Sequence, residues 1–157
     1  MNKELLSAYQ QQLVFAGLDD FTGVGVLGGY MGGQYGATSR LWRQAAVDFL
    51  YRNLVSGLIT AAPSAVMPQI ATNEGLIKLF ANSAPNGVSG VTVTCWDYVF
   101  FDGTPRLDKI LEKHSIHNWS QFHAPFNAIF MDEIENVYQQ FDVSLVKNTV
   151  IPIPINS

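Results

Sequence analysis

"RLWRQAAVDFLYRNLVSG", residues 40–57, carries the strongest helix signal in the chain. Its apolar side chains recur at helical spacing and cover one wide face: Leu41, Trp42, Ala45, Ala46, Phe49, Leu50 and Leu54. The charged residues that fall mostly outside this face are Arg40, Arg43, Asp48 and Arg52. Thr38 or Ser39 is suited to cap the start, and Gly57 to follow the end in the left-handed conformation. We therefore predict a core helix over 40–56.

Four other segments carry signals of helices. Residues 3–16 and the shorter segment 73–82 each have an apolar stripe, and Thr104-Pro105 is a capped start for a helix that runs toward His114. The stripe on residues 3–16 consists of Leu5, Leu6, Tyr9, Leu13 and Ala16. The last helix, predicted over 125–141, directs these side chains inward: Phe126, Ile129, Phe130, Ile134, Val137, Tyr138 and Phe141.

In residues 91–101 (VTVTCWDYVFF) the apolar residues no longer recur at helical spacing, and β-branched and aromatic residues crowd the segment. We predict a strand here, either single or bent into two. The tail at 143–157 holds another candidate strand, whose two late prolines exclude a central position in a sheet. The sequence thus predicts an α+β fold: a single helix-rich domain over 1–157 with a small antiparallel sheet, a glycine-rich loop at 19–38 and an extended C-terminal tail.

Composition and charge limit the class of partner. The chain has 157 residues, of which 48% are hydrophobic and 14% charged, and its formal net charge is −4. Nucleic acids and anionic membranes select basic surfaces, so we expect neither as the main partner, and a basic protein fits better. Cys95 is the only cysteine, and the start MNKELLSAYQQQ lacks a secretory pattern, so we expect a cytoplasmic protein. The longest apolar stretch is interrupted by glycine, which argues against a membrane span.

The glycine-rich loop contains Gly23-x-Gly25-x-x-Gly28, the spacing of a dinucleotide-binding turn. That turn needs a strand before the first glycine and a helix at the last one. Here a predicted helix precedes the motif and further glycines follow it, while Asp48, at a suitable distance, lies inside the next helix. We therefore predict no nucleotide cofactor and interpret the loop as structural or partner-contacting.

Three histidines, His114, His117 and His123, are the best candidates for a metal site, because the first two are three positions apart. The sequence offers no neighbouring cysteine or closely placed carboxylate to complete a set of metal ligands. We therefore expect structural or solvent-facing histidines and no bound metal. Cys95 lies in the predicted strand, where a buried thiol is usually inert. We predict no catalytic residue and no enzyme activity.

Two surface features favour a protein partner. Residues 131–142 (MDEIENVYQQFD) carry four carboxylates and no cation, and the glycine-rich loop places aromatic side chains on flexible backbone. The alternative interpretation is a solvated helix face and aromatic rings folded back onto the core. The partner-binding residues that the sequence predicts are Asp132, Glu133, Glu135, Tyr30 and Tyr35.

Three segments together carry a family resemblance: "ELLSAYQQQLVFAGLDDF", "RLWRQAAVDFLYRNLVSGLI" and "CWDYVFFDGTPRLDKILEKHSIHNW". In this combination the chain resembles the small cytoplasmic immunity proteins of bacterial contact-dependent inhibition and related polymorphic toxin systems. The resemblance implies a single-domain protein that binds the C-terminal toxic domain of one delivery protein and blocks its active site or partner surface. It transfers no site residue to this sequence.

Two rival functions stay open beside this hypothesis. One is a small enzyme or metal-binding protein that uses His114, His117 and His123. The other is a structural subunit of a homo-oligomer whose aromatic loop packs against a neighbouring copy. The leading hypothesis from the sequence is a toxin-neutralising immunity protein that acts by stoichiometric binding.

Overall fold

The computed structural model describes residues 1–62, 72–85 and 94–155. Within these ranges the helices are α1 (Lys3–Ala16), α2 (Ser39–Val55), α3 (Asn73–Asn82), α4 (Cys95–Tyr98), α5 (Pro105–Lys113) and α6 (Ala128–Gln140). The strands are β1 (Phe21–Thr22), β2 (Ile59–Ala62) and β3 (Phe100–Gly103), joined in one antiparallel sheet in the order β1-β3-β2. The predicted α+β fold with a small antiparallel sheet is confirmed.

Helix α2 is buried on nearly all sides. It packs against α3 and β2, and 11 of its 17 residues are buried. Phe49, for example, is fully buried and meets the ring of Tyr9 edge to face at 4.9 Å. Gly57 has a φ of 70°, as its predicted place after the helix requires. The prediction that the charged residues lie mostly outside the buried face is wrong for three of them: Arg43, Asp48 and Arg52 are each at most 4% exposed.

The central strand, β3, does not begin where the sequence predicted a strand. Thr94 forms a capping box with Asp97, so residues Cys95–Tyr98 form a short helix and the strand starts only at Phe100. Local capping thus overrides the β propensity of the apolar run, and Trp96 enters the core from a helix rather than a strand. Residues 91–93 of the predicted strand lie outside the described residues.

The sheet places Phe101 opposite both Phe21 of β1 and Ala61 of β2. The ring of Phe101 is fully buried and stacks on Phe21 with centroids 5.5 Å apart. The sequence predicts neither outer strand, because segments of two and four residues are too short to show a period.

The C-terminal half departs from prediction at two further points. Helix α6 begins at Ala128 rather than at 125, because Asn127 caps it by accepting a hydrogen bond from the backbone N–H of Phe130. The tail has no strand over 143–155; it crosses α2 as irregular chain, with Val143, Leu145 and Ile153 buried. No helix in the described ranges combines the length and apolar character needed to cross a membrane.

Candidate functional site

The acidic face of α6 combines three carboxylates with different surroundings. Asp132 is exposed and forms no ion pair with a described residue. Glu133 accepts hydrogen bonds from His114 Nε2 at 2.7 Å and Lys113 Nζ at 3.1 Å. These bonds, that of His114 first, hold the pKa of Glu133 below its ordinary value. Glu133 therefore ties α6 to the end of α5, whereas Asp132 points its charge at solvent.

Glu135 connects α6 to the C-terminal tail. Its carboxylate accepts hydrogen bonds from the backbone N–H of Leu145 at 2.8 Å and from the hydroxyl of Ser144 at 2.5 Å. It also accepts one from the side-chain amide of Gln139 at 3.0 Å. A carboxylate with three internal donors is a structural group, so Glu135 is less free than Asp132 to contact a partner.

An open apolar groove of about 450 Å³ runs along α6, between the start of α1 and the tail, and we call it the α6 groove. Its apolar lining consists of Met1, Leu6, Phe126, Ala128, Met131, Leu145 and Val146. Asp132, Glu135 and Gln139 supply its polar lining. Val146 is 84% exposed, which is unusual for an aliphatic side chain beside an apolar surface.

The two tyrosines predicted as anchors lie in different environments. Tyr30 is only 8% exposed and belongs to the main core cluster, so its ring is withdrawn from the surface. Tyr35 is 81% exposed. Neither residue lines the α6 groove, so the structure does not bring the aromatic and acidic candidates into one site.

The glycine-rich loop folds back onto α1 and α2. Leu27 donates its backbone N–H to Gln12 Oε1 at 3.0 Å, and Val26 accepts a bond from Trp42 Nε1 at 2.8 Å. Gly36 is required by packing, since a Cβ there would collide with the carbonyl oxygen of Met31. The segment around the dinucleotide-like spacing is therefore a compact turn held by buried hydrogen bonds.

The three histidines bind three separate groups. His114 pairs with Glu133, His117 Nε2 donates to the carbonyl of Gly17 at 2.6 Å, and His123 Nδ1 lies 2.9 Å from Gln11 Nε2. Among the described residues no group of three His, Cys, Asp or Glu side chains is arranged to hold a metal ion. The three histidines that the rival metal-binding hypothesis requires therefore do not form one ligand set among the described residues.

Two other features bear on chemical reactivity. Burial raises the pKa of Cys95 to about 11, so its thiol stays protonated at neutral pH and is a poor nucleophile. A second cavity, of about 500 Å³, lies between α1 and residues 122–126. Its wall residue Gln10 already donates to Pro125 O and accepts from Asn127 N, so its amide serves to join two elements.

The α6 groove is the feature that sequence reasoning missed. Asp132 was identified from the run of carboxylates, but Met1 and Val146 lie at opposite ends of the chain and no local pattern joins them. Comparison of the chain with family models, with curated proteins and with solved structures finds no match. Inferences about function therefore depend on the surface itself.

Proposed function

We propose that this protein is a cytoplasmic inhibitor of the immunity-protein kind, which neutralises a basic toxin domain by stoichiometric binding across the α6 groove. The observation that carries the proposal is the combination of an open apolar surface with the unpaired carboxylate of Asp132 at its side. Apolar contacts supply most of the binding free energy at such interfaces, and complementary charges supply specificity and rapid encounter.

The charge of the partner follows from the charge of this chain. The net charge is −4, and the acidic face of α6 lies beside the groove. Many toxin domains that act on nucleic acid are basic because their substrate is a polyanion, so an acidic inhibitor can cover the same positive surface. The groove then receives an apolar side chain of the toxin while Asp132 faces a lysine or arginine.

Asp132→Lys tests the electrostatic part of the proposal. We expect the variant to fold normally, because Asp132 is exposed, and to bind its cognate toxin domain at least tenfold more weakly, about 1.4 kcal/mol. Calorimetric titration at two salt concentrations measures both the loss of affinity and the extent to which salt screens the interaction. Asp20→Lys, an equal charge reversal at an exposed residue outside the groove, is the matched control.

Val146→Ser tests the apolar part in the same titration. Ile155→Ser is its control, because Ile155 is 88% exposed but does not line the groove. If Asp132→Lys and Val146→Ser both leave affinity unchanged, the α6 groove is not the interface. If the protein sediments as a dimer that Val146→Ser dissociates, the groove joins two copies of this chain and the inhibitor proposal fails.

A further inference from the structure

A cleft beside α1 combines hydrogen-bond acceptors with aromatic side chains. It is the cavity of about 500 Å³ between α1 and the segment that precedes α6, and we call it the α1 cleft. One wall contains Glu4, Ser7 and Gln11, which share a face of α1 because they stand at positions i, i+3 and i+7. The opposite wall contains Phe122 and Phe126. The cleft thus has a polar wall and an aromatic wall.

The two walls are held together by Gln10, a buried residue of α1. Its side chain donates to the carbonyl of Pro125 at 3.0 Å and accepts from the backbone N–H of Asn127 at 2.7 Å. The cleft is therefore formed by contacts within the chain and does not need a ligand to open it. Its volume lies within the range of about 300–1,000 Å³ that is usual for small-molecule sites.

Glu4 brings a negative charge to this cleft that the chain does not neutralise. The residue is exposed and takes part in none of the ion pairs between described residues. All lysines, arginines and histidines of the sequence lie in the described ranges, so no other side chain can supply the missing cation. The described residues that line the cleft include no lysine or arginine. The carboxylate of Glu4 is therefore available to a cationic ligand.

Two uncharged groups on the same wall have further capacity to accept hydrogen bonds. The hydroxyl of Ser7 and Oε1 of Gln11 accept from no described residue. The amide nitrogen of Gln11 is directed instead to His123, 2.9 Å from its Nδ1. Because an amide nitrogen only donates, Nδ1 accepts in that bond. The polar wall thus offers mainly acceptors, which suit a ligand that is rich in N–H donors.

We propose that the α1 cleft binds a guanidinium cation through the oxygen atoms of Glu4, Ser7 and Gln11, with the aromatic wall against the plane of the ion. A guanidinium group carries five N–H donors and a positive charge, so it matches a carboxylate beside neutral acceptors. It is weakly hydrated and stacks on aromatic rings, such as that of the half-buried Phe122. An alkylammonium group is more strongly hydrated and concentrates its three donors at one point, so it fits this cleft less well.

The guanidinium group belongs either to a small molecule or to an arginine side chain of a protein, and the chemistry of recognition is the same. The proposal does not rest on the inhibitor function, because the α1 cleft shares only Phe126 with the α6 groove. Binding of an isolated guanidinium compound can therefore be measured whether or not the α6 groove is an interface.

The test is an NMR titration of ¹⁵N-labelled protein with N-acetylarginine methylamide at constant ionic strength. We expect saturable shifts of the backbone amides of Ser7, Gln11 and His123. N-acetylcitrulline methylamide has nearly the same shape without the charge and should bind at least tenfold more weakly, and the corresponding lysine derivative at least threefold more weakly. Agmatine, titrated in parallel, assigns the source: tighter binding of agmatine indicates a small molecule, and tighter binding of the capped arginine indicates a side chain within a protein.

Variants test the two walls separately. Glu4→Gln should weaken binding of the arginine derivative at least fivefold, and Phe122→Leu, which stays apolar but loses the ring, at least twofold. Asp102→Asn is the control for charge, since Asp102 is exposed, joins no ion pair between described residues and does not line the cleft. It should change the affinity less than twofold. Shifts that do not saturate, equal affinity for the citrulline or lysine derivative, or unchanged affinity in Glu4→Gln or Phe122→Leu would overturn the proposal.

Discussion

Asp48 is a buried carboxylate whose role is to bind backbone N–H groups of the tail. It is 2% exposed and accepts from Val150 N at 2.9 Å and Ile151 N at 3.2 Å, with a further bond from the side chain of Gln44 at 3.0 Å. Burial raises its pKa above the ordinary value of 3.8, and these hydrogen bonds only partly oppose that shift. Asp48 therefore stabilises the position of the tail at the cost of desolvating a charge.

This balance predicts that the contribution of Asp48 to stability depends on pH. Because the folded protein holds the Asp48 proton more tightly than the unfolded chain, the contribution of Asp48 to stability falls as pH rises from about 3.8 toward the raised pKa. Asp48→Asn keeps an oxygen that accepts from the tail and has no proton to lose. We expect the free energy of unfolding of wild type, minus that of Asp48→Asn, to fall across this window, measured by urea denaturation. A difference that rises with pH, or stays constant, would contradict the assigned direction.

At the scale of elements, β3 fits closely against the end of α1. A Cβ on Gly103 would collide with the carbonyl oxygen of Ala16 and approach Gly17 Cα to 3.2 Å. Both contacts are with backbone, which cannot rotate away as a side chain can. The absence of a side chain at Gly103 thus sets the distance between the central strand and the first helix.

Gly103→Ala should therefore destabilise the protein by about 1–3 kcal/mol, the usual cost of forcing extra volume into a packed site. Gly25→Ala is the matched control, because its Cβ would meet no atom within 4 Å and its φ is not in the left-handed region. Thermal and urea unfolding of both variants gives the comparison. Equal losses of stability in Gly103→Ala and Gly25→Ala would show that the contact of β3 with α1 is not tight.

At the scale of the whole molecule, Arg52 joins three parts of the chain that are far apart in sequence. It is fully buried, donates Nη1 to the hydroxyl of Tyr9 in α1 at 2.9 Å and donates Nε to the carbonyl of Val143 in the tail at 3.0 Å. Nη2 donates to the carbonyls of Ser144 and Lys147. One guanidinium group on α2 thereby holds α1 and the tail in place.

Arg52→Met should lower the free energy of unfolding by about 3 kcal/mol, because the substitution fills similar space but leaves the Tyr9 hydroxyl and the tail carbonyls without their donor. We also expect protease to cleave the tail of the Arg52→Met variant at denaturant concentrations at which the wild-type protein resists cleavage. Arg106→Met, a partly exposed arginine that donates to the carbonyl of Ser56, is the control and should cost less than about 1 kcal/mol. If Arg52→Met lowers the free energy of unfolding only slightly and its tail still resists protease, apolar packing alone holds the tail.

Helices whose signals are local can be predicted from the sequence alone. Residues 3–16 and 73–82 form helices with the predicted bounds, and the helix predicted over 40–56 is observed at Ser39–Val55. Apolar spacing, caps and the glycine after the helix all act within a few residues, so they can be read without the fold. The run of carboxylates, also a local signal, predicts the exposure of Asp132, which lies at the side of the proposed interface.

The burial of polar residues and the position of the groove depend instead on contacts between distant segments. The helical pattern predicts Arg52 outside the core, yet the tail covers this face, and Val143, which accepts a hydrogen bond from Arg52, is 91 positions away. The sequence predicts Glu135 as a free surface charge, although the tail folds back and donates a hydrogen bond to it. Likewise the α6 groove brings Met1 beside Val146. Contacts between distant segments leave no periodic trace in the sequence, because each partner alone satisfies the pattern of a solvated surface.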